Sequence, residues 1–188
     1  MDYRMEEIYK MIPREVESVL DIGCGGRYLK KKFKKYIGVD LKNAEIKMDL
    51  NKTQKLPFPN KSIDCIILSQ ILEHLNTVEE LIEECKRICK KFIIVGLPNE
   101  FFIIRRFQFL INKWGGGYKP YGHKHIFNLK TAREFVKNFF GSFENEKPLV
   151  GNWRGKHIFK IRLFLAKIYP SLFAREFYFL IKIRKIRK

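Results

Sequence analysis

What this chain lacks narrows it before any motif is read. Only four cysteines stand among 188 residues, and no two form a C-x-x-C pair. Cys24 lies among glycines, Cys65 in an apolar run, and Cys85 and Cys89 lie four apart. Neither a disulfide framework nor a cysteine zinc site is expected from that pattern. It suits buried, inert thiols in a reducing compartment, so the expected location is cytoplasmic. No apolar run approaches the ~20 residues of a bilayer-spanning helix. The nearest candidates, 101–111 and 177–186, are broken by Arg105 and Arg106 and by Lys182, Arg184 and Lys185. The opening MDYRMEEIYK carries acids and has no apolar centre, unlike a signal peptide.

Acids are also scarce, at 20 against 38 Lys and Arg, for a net charge of +18. From Gly151 onward eleven Lys and Arg face a single acid, Glu176. A field of that sign attracts RNA, an anionic membrane face or a phosphorylated substrate. The same composition also suits a solvated, lysine-rich surface. Hydrophobic residues make up 46% and aromatics 14%, which excludes a disordered chain. The length fits a single domain with a full-sized core.

What is present is most informative at Val19-Leu-Asp-Ile-Gly-Cys-Gly-Gly26, followed by Gly38-Val-Asp40. An apolar strand runs into clustered glycines, and a second strand (36–39) ends on an acid. Glycine lets the backbone turn sharply and approach a ligand where a Cβ would clash. An acid at the neighbouring strand tip can accept from both hydroxyls of a ribose. A nucleoside-containing cofactor follows. The dinucleotide pattern G-x-G-x-x-G is absent, because its third glycine falls on Tyr28. Asp21, two residues before Gly23, instead offers a carboxylate to a cationic amino group.

The rest of the chain alternates strands with helices. Leu29, Phe33 and Tyr36 repeat at helical spacing among lysines. Residues 45–50 read as a short strand ending on Asp49, 56–60 as a proline-punctuated loop, and 63–69 as a buried parallel strand. T-x-x-E capping boxes at Thr77 and Thr131 open two amphipathic helices. Residues 92–97 and 143–150 read as further strands. His157 to Tyr169 reads as a basic amphipathic helix, stopped by Pro170. Such alternation predicts an α/β fold with a parallel sheet covered on both faces. Ligands of such sheets lie beyond the carboxyl ends of the strands. Asp21 to Gly26, Asp40, Asp49, Ser69 and Gln70 all fall there.

From Val19 to about Asn99 the chain resembles the class I S-adenosylmethionine-dependent methyltransferases, in their small-molecule (type 11) group. The matching residues are VLDIGCG at 19–25, GVDL at 38–41, MDL at 48–50 and LPFPNKSIDCIILSQILEHL at 56–75, with a strand ending at Leu97-Pro98. The chain departs from the family at Arg27, where the family's D-x-G-x-G-x-G has its last glycine. The resemblance implies a Rossmann-like, doubly wound, mostly parallel seven-stranded sheet, with 177–183 inserted as an antiparallel C-terminal strand. It implies one domain: a cofactor half at about 14–99, an acceptor-side insertion at about 100–128 and a sheet-completing part at about 129–188. It implies S-adenosylmethionine as cofactor, with Asp21, Gly23 and Gly25 lining its methionine end. Asp40 would hold the ribose, Leu41 would pack on the adenine, Asp49 and Leu50 would read the adenine edge, and Gln70 would close over the cofactor.

Methyl transfer from a sulfonium can run largely on positioning and desolvation, and the chain carries no decisive catalytic signature. No N-P-P-Y motif follows the fourth strand, which argues against adenine amino groups in nucleic acid as acceptors. His74 is a candidate base toward a hydroxyl, or a residue that packs the helix entry. His123 and His125, two apart, would share a side in a strand. With no evident third ligand, no metal is expected, and they read as acceptor-side or structural residues. Tyr118 and Tyr121, beside the Gly-rich 114–118 segment that could hinge a lid, are candidate acceptor contacts. The apolar 101–111 stretch, with its two arginines, points to a small or lipid-linked acceptor at an anionic membrane face, or else to a helix covering the core. The alternatives are an RNA methyltransferase, motivated by the charge, and a non-catalytic cofactor-binding or interaction protein, motivated by Arg27.

Overall fold

A computed structural model describes residues 3–52, 55–111, 122–151 and 156–183, with side chains described throughout except at 156–158. Seven strands form one sheet in the order β3-β2-β1-β4-β5-β7-β6. They are β1 (Ser18–Ile22), β2 (Lys35–Asp40), β3 (Ile46–Lys47), β4 (Ile63–Ser69), β5 (Cys89–Pro98), β6 (Asn145–Leu149) and β7 (Glu176–Lys182). Strands β3 to β5 run parallel, and β7 lies antiparallel between β5 and β6. The chain steps outward one way from β1 to β2 and the other way from β4 to β5. The crevice between the carboxyl ends of β1 and β4 is therefore the switch point of the sheet.

The continuous apolar runs of β1 and β4 are explained by burial on both faces. Every residue of both strands is buried, and Leu20, Ile22, Ile66, Ile67 and Leu68 are wholly inaccessible. Each such side chain contributes about 1.5–3 kcal/mol of apolar burial. Helix α2 (Glu79–Ile88) buries Leu81, Ile82, Cys85 and Ile88 on one face of the sheet, alongside α4 (Leu129–Phe140) with Ala132 and Val136. Helix α1 (Tyr3–Met11), which no sequence signal marked, buries Ile8 and Met11 on the other face. All four cysteines are buried and free, and burial raises the thiols of Cys65 and Cys85.

Several local expectations need correction. The amphipathic pattern at 29–36 yields only a 3-10 turn, Lys30–Lys32, before β2 starts at Lys35. Leu29 and Tyr36 are buried as the spacing requires, but the segment is too short to repay helix nucleation. The 45–50 strand shrinks to Ile46–Lys47, an edge strand paired with β2 alone. Helix α2 starts at Glu79, one residue later than the Thr77 box implies, and its N-cap Val78 makes no side-chain cap bond. The second capping box is shifted: Asn128 accepts from the Thr131 amide at 3.0 Å, while Thr131 Oγ1 accepts from the Asn128 amide at 2.9 Å. Asn out-competes Thr as an N-cap.

Helix α3 (Ile103–Leu110) has no buried residue, so it does not cover the core. Helix α5 (Lys156–Ile168) follows the basic amphipathic pattern at 157–169, and Pro170 opens the short α6 (Pro170–Phe173). Among the described residues, no helix is long and apolar enough to cross a membrane.

Candidate functional site

The carboxyl ends of β1 and β2 are joined by backbone bonds that the glycines permit. Gly23 and Gly25 take positive φ values of 76° and 49°. At Gly23 a Cβ would stand 2.9 Å from Ile71 Cβ, so a side chain cannot be admitted there. At Gly25 an added Cβ would meet nothing within 4 Å, and the loop opens onto space. Asp40 Oδ2 accepts from the Gly25 amide at 2.8 Å, and its Oδ1 accepts from the Leu41 amide at 2.7 Å. The acid at the tip of β2 thus fixes the glycine loop while sitting at its mouth. Leu41 is 62% exposed beside it, free to pack on a planar ligand.

Asp21 lies deeper, 2% exposed, and accepts from the Tyr36 hydroxyl at 2.8 Å. Burial pushes its carboxyl up to about 6, against the opposing effect of the Tyr36 bond. Arg27, at the family's last glycine, is drawn away from the loop toward Glu45 at 3.4 Å. Glu45 also pairs with Lys30 at 2.7 Å and accepts from the Gly38 amide at 2.9 Å. The Lys30 bond holds its carboxyl down to about 2.

Asp49 accepts from the Asn51 amide at 3.0 Å, inside a turn. The Leu50 side chain is buried in the main core, which leaves its backbone for the role that the resemblance implies. Gln70, at the tip of β4, takes a positive φ of 55°. Its buried side-chain Nε2 has no hydrogen-bond partner among the described residues. An amide in that state invites an acceptor atom.

A second group of side chains gathers just past Gln70. The 3-10 turn Leu72–His74 presents Glu73 and His74. The segment 122–127 folds back on it, with the Lys124 amide donating to the Glu73 carbonyl at 2.6 Å. The rings of His74 and His123 meet edge-on at 4.8 Å. His123 Nδ1 bonds Glu100 Oε1 at 2.6 Å, and Glu100 is itself held by Arg105. That Glu100 bond raises the pKa of His123, whereas burial lowers that of His74. Glu73 is wholly buried with both carboxylate oxygens unpartnered among the described residues, and burial pushes it up to about 7. His125 turns elsewhere, its Nε2 within 3.1 Å of the Leu75 carbonyl. Residues 122–128 form no strand, so the two histidines do not share a face. Tyr118, Tyr121 and the Gly-rich 114–118 segment lie outside the described residues.

Residues 20–92 match the family of the methyltransferase domain. That match spans less than half of the chain. Its fold, seen across the whole sheet, is that of the class I S-adenosylmethionine-dependent methyltransferases. A S-adenosylmethionine-dependent methyltransferase from Archaeoglobus fulgidus superposes with a TM-score of 0.61 at 19% identity, over 95% of this chain and 91% of that one. Phosphoethanolamine N-methyltransferase 2 of Haemonchus contortus, in complex with S-adenosylmethionine, superposes with a TM-score of 0.57 at 15% identity, over 96% of this chain and 52% of that one. An uncharacterised protein of Methanocaldococcus jannaschii is 35% identical over 132 residues, 63% of this chain and 60% of its own length. The chain thus matches less than two thirds of that relative.

S-adenosylmethionine is the cofactor of this fold family, and the strand tips of this sheet fit it on two observations. Gly25 leaves open space beside the Asp40 carboxylate, and Gln70 offers an unpartnered amide. The sequence did not mark Tyr36, Glu45, Glu73 or Glu100 as site residues. Glu45 and Glu100 act through partners 7 and 23 residues away. Only Glu73 carried a legible signal, its place next to His74.

Proposed function

We propose that the protein is an S-adenosylmethionine-dependent methyltransferase acting on a small or lipid-linked acceptor. The observation that carries this reading is the edge at which Asp40 clasps the Gly25 amide beside open space, with Gln70 across the crevice. When bound, S-adenosylmethionine supplies an electrophilic methyl group on a sulfonium. Gly23 and Gly25 keep the backbone low enough to approach the methionine part, and Asp21 supplies negative charge there. Asp40 exchanges one backbone partner for ribose hydroxyls, Leu41 covers the base, and Asp49 lies at its rim. On the acceptor side, His74 is kept uncharged by burial and can take a proton from a hydroxyl. His123 is oriented by Glu100 to contact the acceptor.

The apolar character of the acceptor is supported by two helices. Ile103, Phe107 and Leu110 of α3 are 41%, 61% and 80% exposed, next to Arg105 and Arg106. Ile161, Phe164 and Ile168 of α5 are also exposed, in the most basic part of the chain. Apolar faces flanked by cations suit peripheral contact with an anionic membrane surface. Transfer of labelled methyl from S-adenosylmethionine into a total lipid and small-molecule extract tests the reading. Label in an organic-phase product supports it, and transfer confined to RNA would replace it with the alternative that the +18 charge favours. Vesicles containing anionic lipid should sediment the protein at low salt; failure to do so removes the membrane contact.

A further inference from the structure

We propose that Glu73, His74 and His123 hold a divalent transition-metal ion, with a coordination position left open for an oxygen of the acceptor. The three side chains each offer one ligand atom, and these atoms lie within 4.8 Å of one another. Bonds to such an ion are ~2.0–2.2 Å long, so the three side chains would draw together around it.

The state of Glu73 demands an occupant. It is wholly buried, and both oxygens are unpartnered among the described residues. A buried carboxylate persists only if a proton or a cation neutralises it. The surroundings favour the cation, because the His123 imidazole is already oriented as a metal ligand and meets the His74 ring edge-on. His123 bonds Glu100 through Nδ1, which leaves Nε2 as its ligand atom. Glu100 is buried and anchored in turn by Arg105. A carboxylate behind a ligating histidine is the usual outer support of a metal centre. The 2.6 Å bond from the Lys124 amide to the Glu73 carbonyl joins the two donor segments.

Two imidazoles and one carboxylate select zinc or a neighbouring first-row ion over magnesium or calcium, whose sites are built from oxygen. Three protein ligands leave a fourth position open, as in catalytic rather than structural sites. An ion there lowers the pKa of a bound hydroxyl, whose proton then leaves to solvent; with the ion bound His74 is a ligand, and its role as a base belongs to the metal-free protein. Placing an acceptor oxygen at the open position rests on the methyltransferase reading, whereas metal binding does not.

The test titrates the chelator-treated protein with Co²⁺, read by its visible ligand-field absorption, and with Zn²⁺, read by calorimetry. One equivalent should bind. Glu73→Gln and His123→Ala should each weaken binding at least ~100-fold, and Glu100→Gln about 10–100-fold. Zn²⁺ should raise the melting temperature of the native protein and not that of Glu73→Gln, which also shows that the variant folds. No binding, or binding equal in all variants, would overturn the site. S-adenosylhomocysteine, titrated separately, isolates the other reading. Homocysteine-ligand binding without metal binding removes the metal site alone, and metal binding without it upholds the site while removing the methyltransferase reading.

Discussion

The two halves of the crevice differ in how their polar groups are settled. At the β1–β2 edge each acid already has partners: Asp40 holds two amides, Asp21 the Tyr36 hydroxyl, and Glu45 both Lys30 and the Gly38 amide. At the β4–β5 edge the Gln70 amide and the Glu73 carboxylate are buried without partners among the described residues. The first edge is a preformed cradle, rigid before any ligand arrives. The second stores unmet hydrogen-bonding and charge, which a ligand can settle. On the proposed function, binding and chemistry divide between neighbouring strand tips.

Changes that disturb the settled edge should act on stability as well as on the ligand. Asp21 titrates near 6 in the folded protein against 3.8 for an ordinary aspartate. A raised acid keeps its proton in the native state where the unfolded chain has lost it. The stability contributed by Asp21 is therefore fullest below pH 4 and is lost as pH rises through 6. The loss is about 3 kcal/mol. Asp21→Asn should recover most of it at pH 7 and none at pH 4, as denaturant unfolding at the two values would show. The same variant should weaken cofactor binding. A gain that does not depend on pH would mean that Asp21 is not the buried acid assumed here.

A smaller effect is expected where a settled chain of groups reaches the other edge. Ser69 bonds the Tyr178 hydroxyl at 2.8 Å, Tyr178 lies 3.3 Å from Glu176, and Arg4 grips Glu176 with two bonds. Arg4→Ala leaves Glu176 buried without its cation, and about 2 kcal/mol should be lost. A loss below about 0.5 kcal/mol would show that α1 does not brace this edge. The smallest effect belongs to Glu45→Gln, which keeps the Gly38 bond but gives up half-exposed pairs with Lys30 and Arg27. Thermal unfolding should register about 0.5 kcal/mol. A loss of several-fold more would make Arg27 part of the cradle after all.

The contrast also explains what could be read from the chain alone. The β1–β2 edge is written in two short contiguous stretches, 19–26 and 38–41, because a strand, its turn and the next strand tip are local. Their residue types are forced by φ and by close approach, as Gly23 against Ile71 shows. The inserted strand β7 was legible from its β-branched and aromatic residues together with the family resemblance. The Glu73–His74–His123 group was not, since it is assembled from 73–74 and 123 with Glu100 behind, and no spacing rule links them. The sequence offered no evident third ligand for that reason: Glu73 stands beside His74, but no spacing relates it to His123. The burial of the Leu50 side chain was not legible either, since a motif position does not say which way a side chain points.

The central claim is that the β1–β2 edge holds S-adenosylmethionine, and calorimetric titration with S-adenosylhomocysteine tests it most directly. The native protein should bind one equivalent, and Asp40→Ala should bind about 100-fold more weakly, having lost two charge-assisted hydrogen bonds. Absence of binding, or equal binding by the two proteins, would contradict the account.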